Sequence, residues 1–168
     1  AFVDFLKASG QSYWQILPLN PTGYGDSPYQ SFSTFAGNHY LIDLDMLVAQ
    51  GLLLPEELEG IYWGADESRV DFGLLYTERT RLLKIARSRF AETEEYRQFI
   101  LDNSLWLEDY ALFMALKVRY NFAPWTSWAE EHRSYAKAVE QKAEVEAEMA
   151  FWRWTQYEFA VQWKTVKA

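Results

Sequence analysis

One short run of this sequence, "YWQILPL" at Tyr13 to Leu19, reads as a β-strand, and nearly everything after it is patterned for helix. That imbalance is the tightest constraint on the fold. A near-continuous apolar strand suits a parallel sheet covered on both faces. A single strand leaves the backbone N–H and C=O groups of both its edges without partners. Either the pairing strands lie outside these 168 residues, or the run is not a strand. The chain ends point the same way. It opens "AFVDFLKASG" without Met, already at helical spacing (Phe2, Phe5, Leu6) with Gly10 placed as a cap, and it closes "EFAVQWKTVKA" inside an apolar-periodic segment. The sequence is therefore expected to be part of a longer protein, in which case the absence of a leader peptide carries no weight.

Beyond the strand-like run, "YLIDLD" reads as a brief extended piece. Asp43 or Asp45 is placed to cap a helix running through Gln50 to Gly51. Pro55 suits a first helical turn, where its missing N–H costs nothing. Residues 61–73, "IYWGADESRVDFG", read as loop. Helical spacing then predicts one helix over roughly 77–91 and a second over roughly 94–120, the latter with Trp106, Tyr110, Phe113 and Leu116 on one stripe. "PWTSWAEE" breaks the pattern, with Ser127 and Glu130 spaced as a capping box. Residues 134–168 begin as a charged face and finish with Phe151, Trp152, Trp154, Phe159 and Trp163.

Between the strand and the helices lies "PTGYGDSPYQSFSTFAGN", residues 21–38. A linker would be polar and poor in aromatics, and a plain turn would be shorter, yet this run carries Tyr24, Tyr29, Phe32 and Phe35. Such a set suits a sugar ligand: flat rings stack on pyranose C–H faces, while hydroxyls and a carboxylate bond the ring hydroxyls. Tyr24 and Tyr29 would be the platforms, and Ser27 and Asp26 the directional partners. Gly23, Gly25 and Gly37 would permit the sharp turns that gather them. The plainer alternative is that these aromatics only pin a long loop to the body.

Composition narrows the field. The 8 Trp, 11 Tyr and 11 Phe exclude a disordered segment. A formal charge of −8 with scattered basic residues argues against nucleic acid as a partner. No apolar run approaches a membrane span. Without cysteine there is no thiolate chemistry, and His39 and His132 lack metal-ligand spacing, so no metal or other cofactor is expected. Gly23-Tyr24-Gly25 lacks the third glycine of a phosphate-cradling motif. Glu94, Glu95, Glu130 and Glu131 read as solvated helix faces rather than an acid–base pair.

"YWQILPLNPTGYGDSPYQSFSTFAGN" resembles the signature of the 4-α-glucanotransferases, the amylomaltase or disproportionating enzymes of glycoside hydrolase family 77. The likeness continues through "YLIDLDMLVAQGLLLPEEL", "VDFGLLY", "NSLWLEDYALFMALK" and "FAVQWKTVKA", so it spans the chain. What the resemblance implies is an α/β fold: an incomplete (β/α)8 barrel, with its first strand and active-site loop in residues 1–43. A largely helical inserted subdomain would occupy 44–150, and a helix returning to the barrel 151–168. It also implies cytoplasmic enzymes that move α-1,4-glucan segments between maltooligosaccharides through a covalent glycosyl-enzyme, using two carboxyl groups about 5 Å apart. On the family pattern, Tyr29 and Ser27 contact sugar, Asp26 orders the loop, and Tyr24 stacks on glucan at a neighbouring site. A second contact falls on Phe72 or Tyr76, and His39, where the family often has Pro, receives no role. The nucleophile, the acid/base and the transition-state carboxylate would lie beyond residue 168, leaving this chain inactive by itself. Two other readings stand beside this one: a stand-alone carbohydrate-binding module using Tyr24 and Tyr29, and a helical interaction protein with no sugar role.

Overall fold

The computed structural model describes residues 2–23, 25–66 and 68–167. In chain order its α-helices are α1 (Phe2–Ala8), α2 (Leu44–Ala49), α3 (Phe72–Leu74), α4 (Thr80–Arg89), α5 (Glu94–Asp102), α6 (Leu107–Arg119), α7 (Glu130–Arg133), α8 (Tyr135–Glu140) and α9 (Glu146–Lys167). No strand occurs among the described residues. The β-type pairing found there is one isolated antiparallel bridge between Thr22 and Ser31. The strand expected at Tyr13 to Leu19 is thus absent. The run bonds to described backbone only at its end, where the Leu19 carbonyl accepts from Asn38 N–H, and residues 11–18 are exposed, Tyr13 by 95%. Helix α1 buries no residue either, and this arm makes its own aromatic contact, Phe2 edge-on to Trp14 at 5.4 Å.

Several helix boundaries follow from side-chain caps. The Asp43 carboxylate accepts from Met46 N–H at 3.0 Å to start α2, and Gly51 at φ 74° ends it, as its position suggested. Asn38 accepts from Tyr40 N–H at 2.9 Å, so "YLIDLD" opens as the 3-10 turn His39–Leu41 rather than an extended piece. Asp71 accepts from Leu74 N–H at 3.1 Å, so the third helical segment starts at Phe72 instead of near residue 77. It continues into α4 through a π-helical turn, Leu75–Arg79.

The helix expected over 94–120 is two. Asn103 breaks it, donating to the Phe99 carbonyl at 2.8 Å while accepting from the Trp106 indole N–H at 3.1 Å. An amide side chain that bonds nearby groups competes with the helical ladder. The capping box expected from Ser127 and Glu130 does not form, because Ser127 donates to the Pro124 carbonyl at 2.7 Å and Ala129 is the cap residue of α7.

Helix α9 is the axis. Met149, Phe151, Trp152, Trp154, Thr155 and Glu158 are all buried and do not share one narrow face. A helix whose buried residues spread over several faces must be covered by several neighbours. Here α6 covers α9 most extensively, with α4, α5 and the His39–Leu41 turn completing the cover. Ala111 and Ala115, one turn apart on α6 and fully buried, let it lie close.

The loop before α2 is held to this axis by two amides. Gln156 accepts from Gly37 N–H at 2.7 Å and donates to the Gly37 carbonyl at 3.1 Å. One and a half turns on, Gln162 accepts from Asp43 N–H at 2.6 Å and donates to the Asp43 carbonyl at 3.2 Å. Gly37 is required here by space, since a Cβ would fall inside the Phe159 ring. Replacing Gln156 by Leu strands a buried N–H and C=O and is expected to cost about 2–4 kcal/mol. Gly37→Ala is expected to cost about 1–3 kcal/mol by overpacking. Urea denaturation midpoints of the two variants check both figures.

Candidate functional site

The 21–38 run is a closed loop with a tied neck. Asn20 donates its amide to the Ala36 carbonyl at 3.0 Å, and Asn38 N–H donates to the Leu19 carbonyl at 2.7 Å. Inside, Gly23 N–H reaches the Gln30 carbonyl, Asp26 N–H the Gly23 carbonyl and Gln30 N–H the Ser27 carbonyl, each at 3.1 Å. The first of these turns uses Gly25 at φ 85° and Asp26 at φ 54°, the left-handed region that glycine and, less readily, aspartate adopt. Serine hydroxyls support the backbone: Ser33 accepts from both Phe35 and Ala36 N–H at 3.2 Å. Two loop phenylalanines meet rings on or beside α6. Phe32 packs on Phe113 at 5.8 Å and Phe35 stacks on Trp106 at 6.1 Å. Phe32 fits the plainer expectation, pinning, whereas Phe35 meets Trp106 and stays 71% exposed.

The candidate ligand residues fare differently. Tyr29 is 74% exposed on the outer turn, its N–H donating to Ser27 Oγ at 3.3 Å. Ser27 is half-buried, and a hydroxyl that accepts in this way still has its own proton to donate. Asp26 is half-buried and sits on the wall between two clefts. Tyr24 lies outside the described residues.

The two clefts share Thr22, Asp26, Tyr40 and Phe72 as a common wall. The first, about 990 Å³, runs from Leu19 past Trp63 to Arg79. The second, about 1050 Å³, is framed by Phe32, Tyr76, Phe122 and Trp152, with Lys84 and Glu148 paired at 3.0 Å on its lining. Both are at the upper end of the size range of small-molecule sites. Phe72 therefore faces both clefts and Tyr76 only the second.

Burial sets the electrostatics. Tyr40 is pushed up to about 12 by desolvation first, then by the charges of Asp26 and Tyr76, so it stays a neutral O–H. Tyr76 is also raised, by burial first and Glu148 second. Four of the lining carboxylates act as acceptors: Asp43 and Asp71 cap helices, Glu148 pairs with Lys84, and Asp66 accepts from Ser68 Oγ at 2.6 Å, which lowers its pKa. Among the described residues no cluster of three His, Asp or Glu side chains is placed to hold a metal ion. Flat apolar rings beside hydroxyl and carboxylate acceptors make a surface amphipathic in the same sense as a pyranose.

Sequence reasoning missed Tyr40, Trp63, Lys117 and Phe122. Tyr40 was hidden in a piece read as extended, and Trp63 in a segment read only as loop. The signal for Phe122 was available: "YNFAP" ends a helix where glycine is usual, so a non-glycine pair there marks an unusual turn.

Comparison with known proteins places this architecture among the glycoside hydrolases. The structure of amylomaltase from Streptococcus agalactiae in complex with acarbose matches with a TM-score of 0.91 at 34% identity, over 99% of this chain and 35% of that one. The 4-alpha-glucanotransferase of Clostridium butyricum is 44% identical over 170 residues, covering 99% of this chain and 35% of that protein. That of Streptococcus pneumoniae serotype 4 is 47% identical over 173 residues, covering 99% and 34%. The family model described as 4-alpha-glucanotransferase matches residues 1–168, and the chain belongs to that family, glycoside hydrolase family 77. It spans about a third of the length of the curated relatives it matches. No helix among the described residues is long and apolar enough to cross a membrane.

His39 lines the second cleft, and its ring stands edge-on to Trp152 at 5.1 Å. Burial first, and the Arg79 charge second, hold it down to about 4 from its ordinary 6.5. Above pH 6.5 the imidazole is neutral in both folded and unfolded chains, and its contribution to stability is complete. As pH falls from 6.5 towards 4 the unfolded chain takes up a proton that the folded chain refuses. Stability is expected to fall by about 3 kcal/mol across that window and to level off below it. His39→Phe should flatten that part of a pH series of denaturation midpoints.

Proposed function

We propose that this chain is the sugar-binding amino-terminal part of a cytoplasmic 4-α-glucanotransferase, which moves α-1,4-glucan segments between maltooligosaccharides with retention of configuration. The observation that carries the reading is the division of labour inside the 21–38 loop. Gly37 is clamped by Gln156 and Phe32 packs on Phe113 to fix it, while Tyr29 is left exposed and Asp26 on the cleft wall. A loop fixed from below that presents tyrosine, serine and carboxylate outward is preorganised for a ligand. Tyr29 and Ser27 contact sugar, Asp26 orders the turn, and Tyr24 stacks on glucan beside it. Tyr76 is favoured over Phe72 as the further glucan contact, since its ring meets Phe122 in the second cleft whereas Phe72 is divided between the two.

On this reading residues 1–43 hold the first strand of a (β/α)8 barrel with its loop, 44–150 a helical inserted subdomain, and 151–168 the helix returning to the barrel. The apolar Tyr13–Leu19 run, exposed up to Pro18 and bonded to described backbone only at the Leu19 carbonyl, supports it, because such a strand is stable only when neighbours pair with its backbone. The reacting carboxylates belong to the rest of the polypeptide. Of the carboxylates that line the clefts here, Asp43 and Asp71 are engaged as caps and Glu148 as an ion-pair partner. Transfer rather than hydrolysis needs an acceptor sugar that outcompetes water, which aromatic platforms around a covered cleft favour.

In the complete enzyme, Tyr29→Ala is expected to lower kcat/KM for maltotriose disproportionation by about 10- to 100-fold. It should leave the melting temperature unchanged, since the side chain is 74% exposed. The isolated chain is expected to transfer nothing, and measurable disproportionation by it would overturn the proposed location of the carboxylates. A stand-alone binding module is the competing reading, because both clefts are lined by residues of this chain alone. Calorimetric titration of the isolated chain with acarbose separates the two. Tight binding abolished by Tyr29→Ala would favour the module.

A further inference from the structure

Helix α6 ends in a turn that most sequences build from glycine. Asn121 at φ 48° and Phe122 at φ 60° are consecutive non-glycine residues in the left-handed region. Asparagine tolerates that region through local hydrogen bonding, but phenylalanine gains nothing from it and carries a Cβ that resists it. Residues held in this way persist where their surroundings over-determine them, and they mark functional walls more often than chance.

Lys117 supplies the over-determination. Its backbone carbonyl accepts from Phe122 N–H at 2.7 Å, closing the turn from below. Its ammonium reaches round to donate to the Phe122 carbonyl at 2.7 Å and the Ala123 carbonyl at 3.2 Å, closing it from above. The Trp128 indole N–H shares the Ala123 carbonyl at 3.1 Å. The same ammonium lies 5.5 Å from the ring centre of Phe32 and 5.9 Å from that of Phe122. Lys117 thereby ties the ligand loop to the turn, and burial lowers its pKa. Phe122, so held, stands edge-on to Tyr76 at 5.3 Å and 83°, and both rings line the second cleft. Glycine would occupy position 122 without strain. What phenylalanine adds is a ring at the cleft wall.

We propose that Lys117 is a positioning residue, anchoring the strained Asn121–Phe122 turn so that Phe122 and Tyr76 form an aromatic corner that receives the C–H face of a glucose ring of an α-1,4-glucan. This rests on the sugar-binding reading above. Phe122 is the specificity-determining contact, favouring glucans long enough to enter the second cleft. Lys117 acts through it, since two of its three donors hold the carbonyls of the turn that carries the Phe122 ring.

The test uses the complete glucanotransferase carrying this chain, assayed on maltotriose and on amylose, with melting temperatures of each variant. Phe122→Ala and Phe122→Gly are expected to raise KM for amylose about five- to tenfold, an amount consistent with one lost aromatic contact, with kcat and the maltotriose KM unchanged. Phe122→Gly should melt a few degrees above Phe122→Ala, because only glycine relieves the backbone. Lys117→Met should raise the amylose KM similarly, and Lys117→Arg should restore most of it. In the Phe122→Gly background Lys117→Met should raise that KM no further.

An active enzyme whose amylose KM ignores Phe122→Ala overturns the proposal. So does a Lys117→Met effect undiminished in the Phe122→Gly background, or a Phe122→Gly variant melting no higher than Phe122→Ala. If Lys117→Met does not fold, the two Phe122 variants decide the matter. A wild-type enzyme without disproportionating activity overturns the glucanotransferase reading itself, whereas the preceding results leave that reading standing.

Discussion

Two glutamine side chains on one helix hold the functional half of this chain in place. Gln156 and Gln162 each treat a loop residue as a neighbouring strand would, accepting from its N–H and donating to its carbonyl. The six-residue step along α9 matches the six-residue step from Gly37 to Asp43. A stretch of non-repetitive backbone is thereby registered against a rigid rod 119 residues away in sequence. Burying irregular backbone is ordinarily costly because its polar groups lose water. The paired amides remove that cost, which is what lets Ala36, Gly37, Asn38 and His39 lie buried beside the α9 tryptophans.

From that registration the cleft walls follow. The Asn38–Leu19 and Asn20–Ala36 bonds close the loop's neck where the clamp has fixed one side of it. Phe35 then meets Trp106, the residue before α6, Phe32 meets Phe113 on α6, and Asp26 is left on the ridge between two clefts. The π-helical turn Leu75–Arg79 aims side chains to both sides: Tyr76 lines the second cleft and Arg79 the first, where Arg79 also donates to the Ile42 carbonyl. Helices, loop and turn thus build one ridge with an aromatic hollow on each side. The α1 helix buries no residue and the run after it joins this body only at its Leu17–Leu19 end, so the compact body is centred on α9.

Much of this was legible in residue order where the cause is local. Asp43, Gly51 and Gly10 act within a turn of their own positions, and each ends or begins a helix as its chemistry demands. The loop was recognisable because eighteen residues combining glycine, serine and four aromatics fit neither linker nor plain turn. The misread boundaries are those where a side chain chose between partners of similar worth. Asn103 preferred the Phe99 carbonyl and the Trp106 indole to a continuous helix, and Ser127 preferred Pro124 to the α7 amides. Nothing in a periodicity of apolar residues reports that choice.

The sequence by itself determined the family, the helical body, the closed aromatic loop and which of its residues are candidates for sugar, because these rest on motif and on neighbours a few positions apart. Tertiary structure alone decided which loop aromatics pack on the helices and which stay open to solvent. Phe32 and Tyr29 are both loop aromatics, and only the positions of Phe113 and the Lys117 ammonium make one a fastener and leave the other 74% exposed. It also decided that Lys117 and Phe122 belong to a cleft wall, since an ammonium that spans a strained turn and a ring from a distant loop is invisible until both are folded around it. The physical reason is range: caps and turns are settled within a few residues, whereas burial, ring contact and pKa are set by whatever the fold brings near.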